Sequence, residues 1–377
     1  MKEEVTRLLQ SLVRIDSQNP PGNETAIIEF IKTYLVRYGI VSKIYEFKSG
    51  RPNLVCTIPS LHRKRSIIFT PHVDTVPVTG RWRFGALSGT RFAGRIYGRG
   101  ATDCKANVAV SLALIRSLRE KNIRLRNLDL VFAFSADEET GSYGGIIPLA
   151  QKLRGIDYGV VLDADDFNII VAQKGLLHLR VELFGKEAHG AYPERGVNAV
   201  ERAVSIITEI LDRKFSYLRH PLLKKPTINV GRFVGGDKVN IVAGYCFFEL
   251  DIRYLPSMTQ NSIVTRIEKA IRKQKIRYRV TVLAHQEPIE IDTKSPSIKI
   301  LREVLRRHRI RSALSPSFGA TVINFLEAQG IESFAFGFGS KGNAHTKNES
   351  VKVSNLHKGV DVLIDYVQQL DAYVGGR

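Results

Sequence analysis

The sequence predicts an α/β fold: a mixed, mostly parallel sheet with helices on both faces, interrupted by an inserted α+β domain. Three observations carry this. Over roughly the first 170 residues, short apolar runs alternate with helix-length amphipathic segments, the pattern of a buried, mostly parallel sheet covered by helices. From residue 175 the strand-like segments alternate apolar with polar residues, as strands with one wet face do. After about residue 286 the first pattern returns. The expected organisation is therefore a discontinuous domain over 1–173 and 286–377 and an insertion over 174–285. A chain of 377 residues, 44% hydrophobic, can fill two cores.

Taken in order, "MKEEVTRLLQSLVRID" reads as an amphipathic helix with its acids early. It lacks the apolar run of a signal peptide, which implies a cytoplasmic protein. Residues 23–39 form a helix ended by Gly39. "NLVCTIP" (53–59) and "SIIFT" (66–70) are strands, the second broken by Pro71. A helix with a broad apolar face spans 105–122, and apolar strands follow at 128–136 and 158–164. In the insertion, strands at 175–185, 227–236, 244–256 and 278–285 surround helices at 198–214 and 261–274. The last part holds helices at 296–308 and 321–330, a strand at 332–339 and a closing helix at 355–370. No internal repeat or low-complexity segment is present.

Composition excludes several classes. No apolar run reaches the length of a membrane span. The three cysteines, Cys56, Cys104 and Cys246, are far apart and form no CxxC pair, so neither a disulfide framework nor a thiolate zinc site is expected. Cys104 reads as a packing residue. The net charge of +19 raises the question of a nucleic-acid surface, but the basic runs at 61–65, 271–279 and 305–311 lack interleaved aromatics and any nucleic-acid motif. They read as solvated faces.

The chemistry lies where the first domain's strands end. After "SIIFT" come His72 and Asp74, two apart and so on one side of an extended chain. An Asp that fixes the tautomer of an imidazole leaves the other ring nitrogen free for a metal. Asp103 sits in a Gly-rich turn before a helix. Asp137, Glu138 and Glu139 follow one strand, Asp163 and Asp165 another, and His345 lies in a Gly-rich loop after a third. Singly these could be helix caps. Together, four acidic clusters and two His along one sheet edge are unfavourable without cations. Two divalent ions held by imidazole and carboxylate would neutralise them, with Zn²⁺ first and Co²⁺ or Mn²⁺ as alternatives.

"HVDTVP", "GRGATDCKA", "ADEETGS", "VVLDAD", "EAHGAYPERGVNA", "ELDIRYLP" and "AHTKNES" occur in that order. This ordered set resembles the M20 family of metallopeptidases and deacylases, which includes acetylornithine deacetylase, succinyl-diaminopimelate desuccinylase, aminoacylase, carboxypeptidases and tripeptidase. The resemblance implies a zinc-peptidase-like catalytic domain and roles by position. His72 and Asp163 bind one metal, with Asp165 close enough to replace Asp163, Glu139 and His345 bind the other, and Asp103 bridges both. Asp74 steers His72, and Glu138 is the general base. The insertion would be a dimerisation and lid domain. In a homodimer His189 would reach the substrate carbonyl across the interface, and Asn240 and Arg253 would hold the substrate carboxylate. For Arg253 a plain ion pair with Asp251 or Glu249 is the alternative; for Glu349, support of the His345 loop and a simple salt bridge stand equal.

Three departures from the family's pattern stand out, the first of them small and the second in a loop that lies near the substrate in the family. Ala106 stands where the family often has Gly, "SPSFGATVINF" lacks the usual acid near Gly319, Ala320 and Thr321, and "VTGRWRFGALSG" lacks one beside its aromatic residue. His62, His178, His220, His285, His308 and His357 fit no ligand pattern. The expected function is two-metal hydrolysis of an amide bond in a small N-acyl amino acid, with a di- or carboxypeptidase as the alternative. A basic nucleic-acid-binding protein on a retired scaffold is the reading from another class. The complete set of five ligands and a base stands against it.

Overall fold

The computed structural model describes residues 2–212, 215–317, 319 and 321–376. The chain forms two compact units: Met1–Val171 with Ile291–Ser315 and Thr321–Arg377, and Ala172–Glu290, to which Pro316 and Ser317 also belong.

In the first unit seven strands lie side by side in the order Ser42–Glu46, Pro52–Ile58, Leu128–Phe134, Arg65–Thr70, Tyr158–Leu162, Glu332–Phe336 and Ile169–Gln173. The four from Leu128–Phe134 to Glu332–Phe336 are parallel. Those flanking them pair antiparallel, so the sheet is mixed, with a smaller parallel share than the alternation alone suggests. Connection length explains this. Ser42–Glu46 and Pro52–Ile58 are joined by a short loop, which can only form a hairpin, whereas Arg65–Thr70 reaches its parallel neighbour through the helix Lys105–Glu120. That helix buries 13 of its 16 residues, so it has neighbours nearly all round. The N-terminal helix Lys2–Arg14 and the C-terminal helix Val353–Gly375 both pack against it.

Register then positions the site. Thr70 pairs with Val161, Phe69 with Phe132, and Phe336 with Leu162, so the four parallel strands end together. The chain leaves them at residues 71, 135, 163 and 337, at the sheet edge where α/β folds bind ligands.

The second unit is a four-stranded antiparallel sheet in the order Thr227–Gly235, Tyr245–Tyr254, Gly175–Phe184 and Arg277–Gln286. Along Gly175–Phe184 buried and half-buried residues alternate without a break. Its inward Leu177, Leu179, Val181 and Leu183 share a core with Ala203, Ile206 and Ile210 of the helix Ala199–Asp212 and with Ile263, Ile267 and Ile271 of Gln260–Lys273. These positions recur at the three- and four-residue spacing of one helical face. Arg213 and Lys214, the expected end of the first of these helices, lie outside the described residues.

Strands at 42–46 and 169–173 were not expected. The first is half exposed and polar, the second a short run beside the insertion. The helix expected over 321–330 shrinks to Ile323–Glu327, while the closing helix extends to Val353–Gly375. Among the described residues no helix is long and apolar enough to cross a membrane.

Candidate metal centre

The strand Arg65–Thr70 stops at Pro71, and His72 turns into the edge with 3% of its surface exposed. Its Nδ1 lies 3.1 Å from the Asp74 carbonyl and 3.5 Å from the Asp74 carboxylate. The nearer acceptor is thus the backbone rather than the expected side chain. Either one holds the proton on Nδ1 and leaves Nε2 free. That Nε2 lies 2.9 Å from Asp103 Oδ1 and 4.0 Å from Asp163 Oδ1.

Asp103 occupies the turn before the helix Lys105–Glu120, which is built on a buried acid. One Glu349 oxygen accepts from the backbone N–H of Thr102 (2.8 Å) and Asp103 (3.0 Å), the other from Gly100 (3.1 Å) and the Arg99 guanidinium (2.6 Å). Glu349 is therefore both the ion pair and the support that sequence left open, but it supports the Asp103 turn. Gly100 sits at φ +80° with no room for a Cβ beside Thr75 and Lys105. The second Asp103 oxygen lies 3.1 Å from His345 Nε2, which in turn is 3.0 Å from Glu139 Oε2. Asp103 thus offers one oxygen to each imidazole.

Glu138 and Glu139 sit in a tight turn anchored from beneath. Fully buried Asp74 accepts from the backbone N–H of both, each at 3.1 Å, and from the Asn19 amide at 2.8 Å. Donor atoms of Asp103, Glu139 and His345 lie within 4.8 Å of one another, as do those of His72, Glu138 and Glu139, and those of His72, Cys104 and Asp163. The Cys104 thiol donates to the Leu162 carbonyl at 2.8 Å.

Electrostatics show what the cluster lacks. Burial, reinforced by Asp103, pushes Asp163 up to about 7. Burial and the same neighbour push Asp165 up to about 6. Burial raises Glu138 well above the carboxylate range, and Asp163, Glu139 and Asp103 add to the rise against His72. Hydrogen bonds that His345 donates to Asp103 and Glu139 raise it to about 10. Burial alone would lower His72, yet the carboxylates of Asp103 and Asp74 raise it. The carboxylates hold protons on the imidazoles and on one another, as a negative cluster does when positive charge is short. A donor set of two imidazoles and several carboxylates, with this deficit, fits two divalent cations of the zinc, cobalt or manganese kind.

The remaining candidates lie in the second unit. His189 is exposed, in an irregular bridge with Ile241, its Nδ1 accepting from the Ala191 N–H at 3.1 Å. Exposed Asn240 accepts from the Gly190 N–H through its backbone carbonyl at 2.8 Å. Arg253 donates to both Asp251 oxygens at 2.7 and 3.2 Å, so the ion-pair alternative is present. Ala320, named with the loop lacking an acid, lies outside the described residues.

Sequence reasoning missed Asn19, Glu24, Arg51 and Arg99. All are buried. The available signals were a polar "NPPGNE" turn, a lone Arg opening the apolar strand "RPNLVCTIP" and an Arg between two glycines.

Residues 68–369 match peptidase family M20/M25/M40. An uncharacterized metallohydrolase of Methanocaldococcus jannaschii is 27% identical, the match covering 97% of this chain and 99% of that protein. An acetylornithine deacetylase of Vibrio parahaemolyticus is 25% identical over 96% of both chains. The crystal structure of aminopeptidase PepT from Bacillus cereus superposes with a TM-score of 0.80 at 24% identity over 98% of each chain, a likeness of fold. With the family match spanning most of its length, the chain belongs to peptidase family M20/M25/M40 and is a metal-dependent hydrolase of amide bonds.

Proposed function

We propose that the protein hydrolyses the amide bond of a small N-acyl amino acid with a free carboxylate, as a deacetylase or desuccinylase does, using two zinc ions. The carrying observation is Asp103, which presents one oxygen toward His72 and the other toward His345. That is the arrangement of a carboxylate shared by two metal positions. His72 and Asp163 would complete one and Glu139 and His345 the other. When bound, the ions would acidify a water and polarise the scissile carbonyl. Glu138, anchored beside Glu139 through Asp74, would take the proton from that water and deliver it to the leaving amine. Asp74 keeps His72 in the tautomer that frees Nε2.

The second unit would supply the substrate contacts: His189 to the developing oxyanion, Asn240 and Arg253 to the carboxylate. A guanidinium holds a carboxylate with two parallel bonds. Asp251 now occupies that fork, so substrate would have to share or displace it.

We also read this unit as the dimerisation domain. Val204 (54%) and Leu211 (51%) protrude from the helix Ala199–Asp212, and Phe233 (40%) and Val234 (45%) from the edge strand Thr227–Gly235, apolar surface on an unpaired edge that a second copy would cover. If His189 acts across such an interface, mixing inactive His189→Ala chains with inactive Glu138→Gln chains should restore part of the activity. Verified mixed dimers without recovery would place His189 in its own chain's site or outside catalysis.

The function is tested by a hydrolysis screen of N-acetyl and N-succinyl amino acids, their C-terminal amides and dipeptides, with Zn²⁺, Co²⁺ and Mn²⁺ added separately. The acids should be cleaved and their amides far less well. Faster turnover of dipeptides would favour a peptidase of the same family, and equal rates on acids and amides would remove the carboxylate from the account.

A further inference from the structure

Next to Asp74 lies a polar network that the proposed mechanism does not use. Asn19 is 1% exposed and donates its amide N–H to Asp74 Oδ2 at 2.8 Å and to Thr140 Oγ1 at 3.1 Å, with a longer 3.4 Å contact to Asp137 Oδ1. Its carbonyl accepts from the Arg51 guanidinium at 2.8 Å. Arg51, 4% exposed, is also bound to Glu24 at 2.7 Å and lies 3.3 Å from Asp137. Asn19 thus stands between a buried cation and a buried carboxylate, its carbonyl turned to the first and its amide to the second.

Within this network, among the described residues, Asp74 is the group that touches both halves of the site. On one side its carbonyl and carboxylate flank His72 Nδ1; on the other its carboxylate holds the N–H groups of Glu138 and Glu139. Rotating that carboxylate would release the Glu138–Glu139 turn and remove the 3.5 Å carboxylate contact to His72, whose nearer acceptor is the Asp74 backbone carbonyl. Within the described residues, its one side-chain donor besides His72 is Asn19. Both backbone donors belong to the turn that Asp74 is itself holding, so they cannot serve as an independent reference for its orientation. Asn19 can, because the Arg51 guanidinium, outside that turn, binds its carbonyl and so decides which end faces Asp74.

We propose that Asn19 is a positioning residue that sets the Asp74 carboxylate and thereby couples the two metal positions. The inference rests on the two-metal reading above. Partners that orient metal ligands from behind commonly change metal affinity by 10–100-fold when lost. Here the loss should fall on both ions, because Asp74 serves a ligand of each: its carbonyl and carboxylate flank His72, and its carboxylate holds the N–H of Glu139.

The test measures zinc binding to metal-free protein by competition with a chromophoric chelator, alongside the melting temperature of the metal-free form and steady-state kinetics. Asn19→Leu keeps the approximate size and removes the donor; Asn19→Asp keeps the shape and sets a carboxylate against a carboxylate. Both should weaken both zinc equivalents about 10–100-fold and lower kcat more than they raise KM. Asn19→Ser, smaller but still a donor, should lose less, and it decides the matter if neither of the others folds. Asp371→Asn is the comparison for plain destabilisation. Asp371 accepts from the backbone N–H of Arg126, Asn127 and Leu128 at 2.6–3.0 Å, at the opposite end of the sheet. It should melt earlier and bind zinc as the unaltered protein does. The proposal is overturned if folded Asn19 variants bind both ions normally, if only one equivalent is affected, or if Asp371→Asn loses as much affinity. A starting protein that takes up fewer than two ions would instead overturn the two-metal reading. The variants' affinity for the ions it does bind would still decide the role of Asn19.

Discussion

Glu138→Gln should reduce kcat by about a thousandfold, within the range of 10²–10⁴ that a positioned acid–base group supplies, while the protein still folds and takes up two ions. Glutamine has the same shape and keeps the backbone N–H that Asp74 accepts, so the turn should survive. What it loses is the ability to accept a proton. With no cation bound, burial and the neighbouring carboxylates hold the Glu138 carboxyl above its ordinary range. Glu139→Gln should behave differently, because its carboxylate faces His345 and Asp103: metal uptake at that position should fall with activity. Steady-state rates with metal analysis on the same samples separate the two. A Glu138→Gln protein with near-normal kcat would remove Glu138 from the proton path.

Arg99→Met should be among the most destabilising single changes in the chain, by about 3–5 kcal/mol, the scale for stranding one member of a buried ion pair. Arg99 and Glu349 are both nearly inaccessible, and their 2.6 Å contact is the only ion pair Glu349 makes among the described residues. Methionine fills much of the volume and supplies no charge. Glu349 would remain tied to the turn of Gly100, Thr102 and Asp103 without its counter-ion. Glu349→Gln added to Arg99→Met should recover part of the loss, because a neutral amide can still accept from that turn. Equilibrium denaturation of the metal-free proteins measures both. A loss under about 1 kcal/mol would mean that solvent reaches the pair and relieves it.

The strand ends were legible because the residues that carry chemistry there are chemically unusual for their setting. His72 and Asp74 after an apolar strand, or Glu138 and Glu139 after another, need no partner to be noticed. The residues that aim them were not. Asn19, Glu24 and Arg51 sit in a loop and at a strand start where polar residues are ordinary, and only the fold shows that they are buried together. Glu349 looked like support for His345 because it is close in sequence, yet its hydrogen bonds go to a turn some 250 positions earlier. The antiparallel flanks were missed for a related reason. A short apolar run looks the same in either direction, and the loop length that makes Ser42–Glu46 antiparallel is visible only once that strand is recognised. Arg253 shows the opposite case, in which the plain ion pair with Asp251 is present and the substrate role rests on the motif.

The central claim is that Asp103 is shared between two ions, one beside His72 and Asp163 and one beside Glu139 and His345. Crystals grown with zinc and measured at the zinc absorption edge test it directly. The account predicts two anomalous peaks of similar height, one on each side of the Asp103 carboxylate and each in contact with one of its oxygens. A single peak, or two peaks that do not share Asp103, would contradict it.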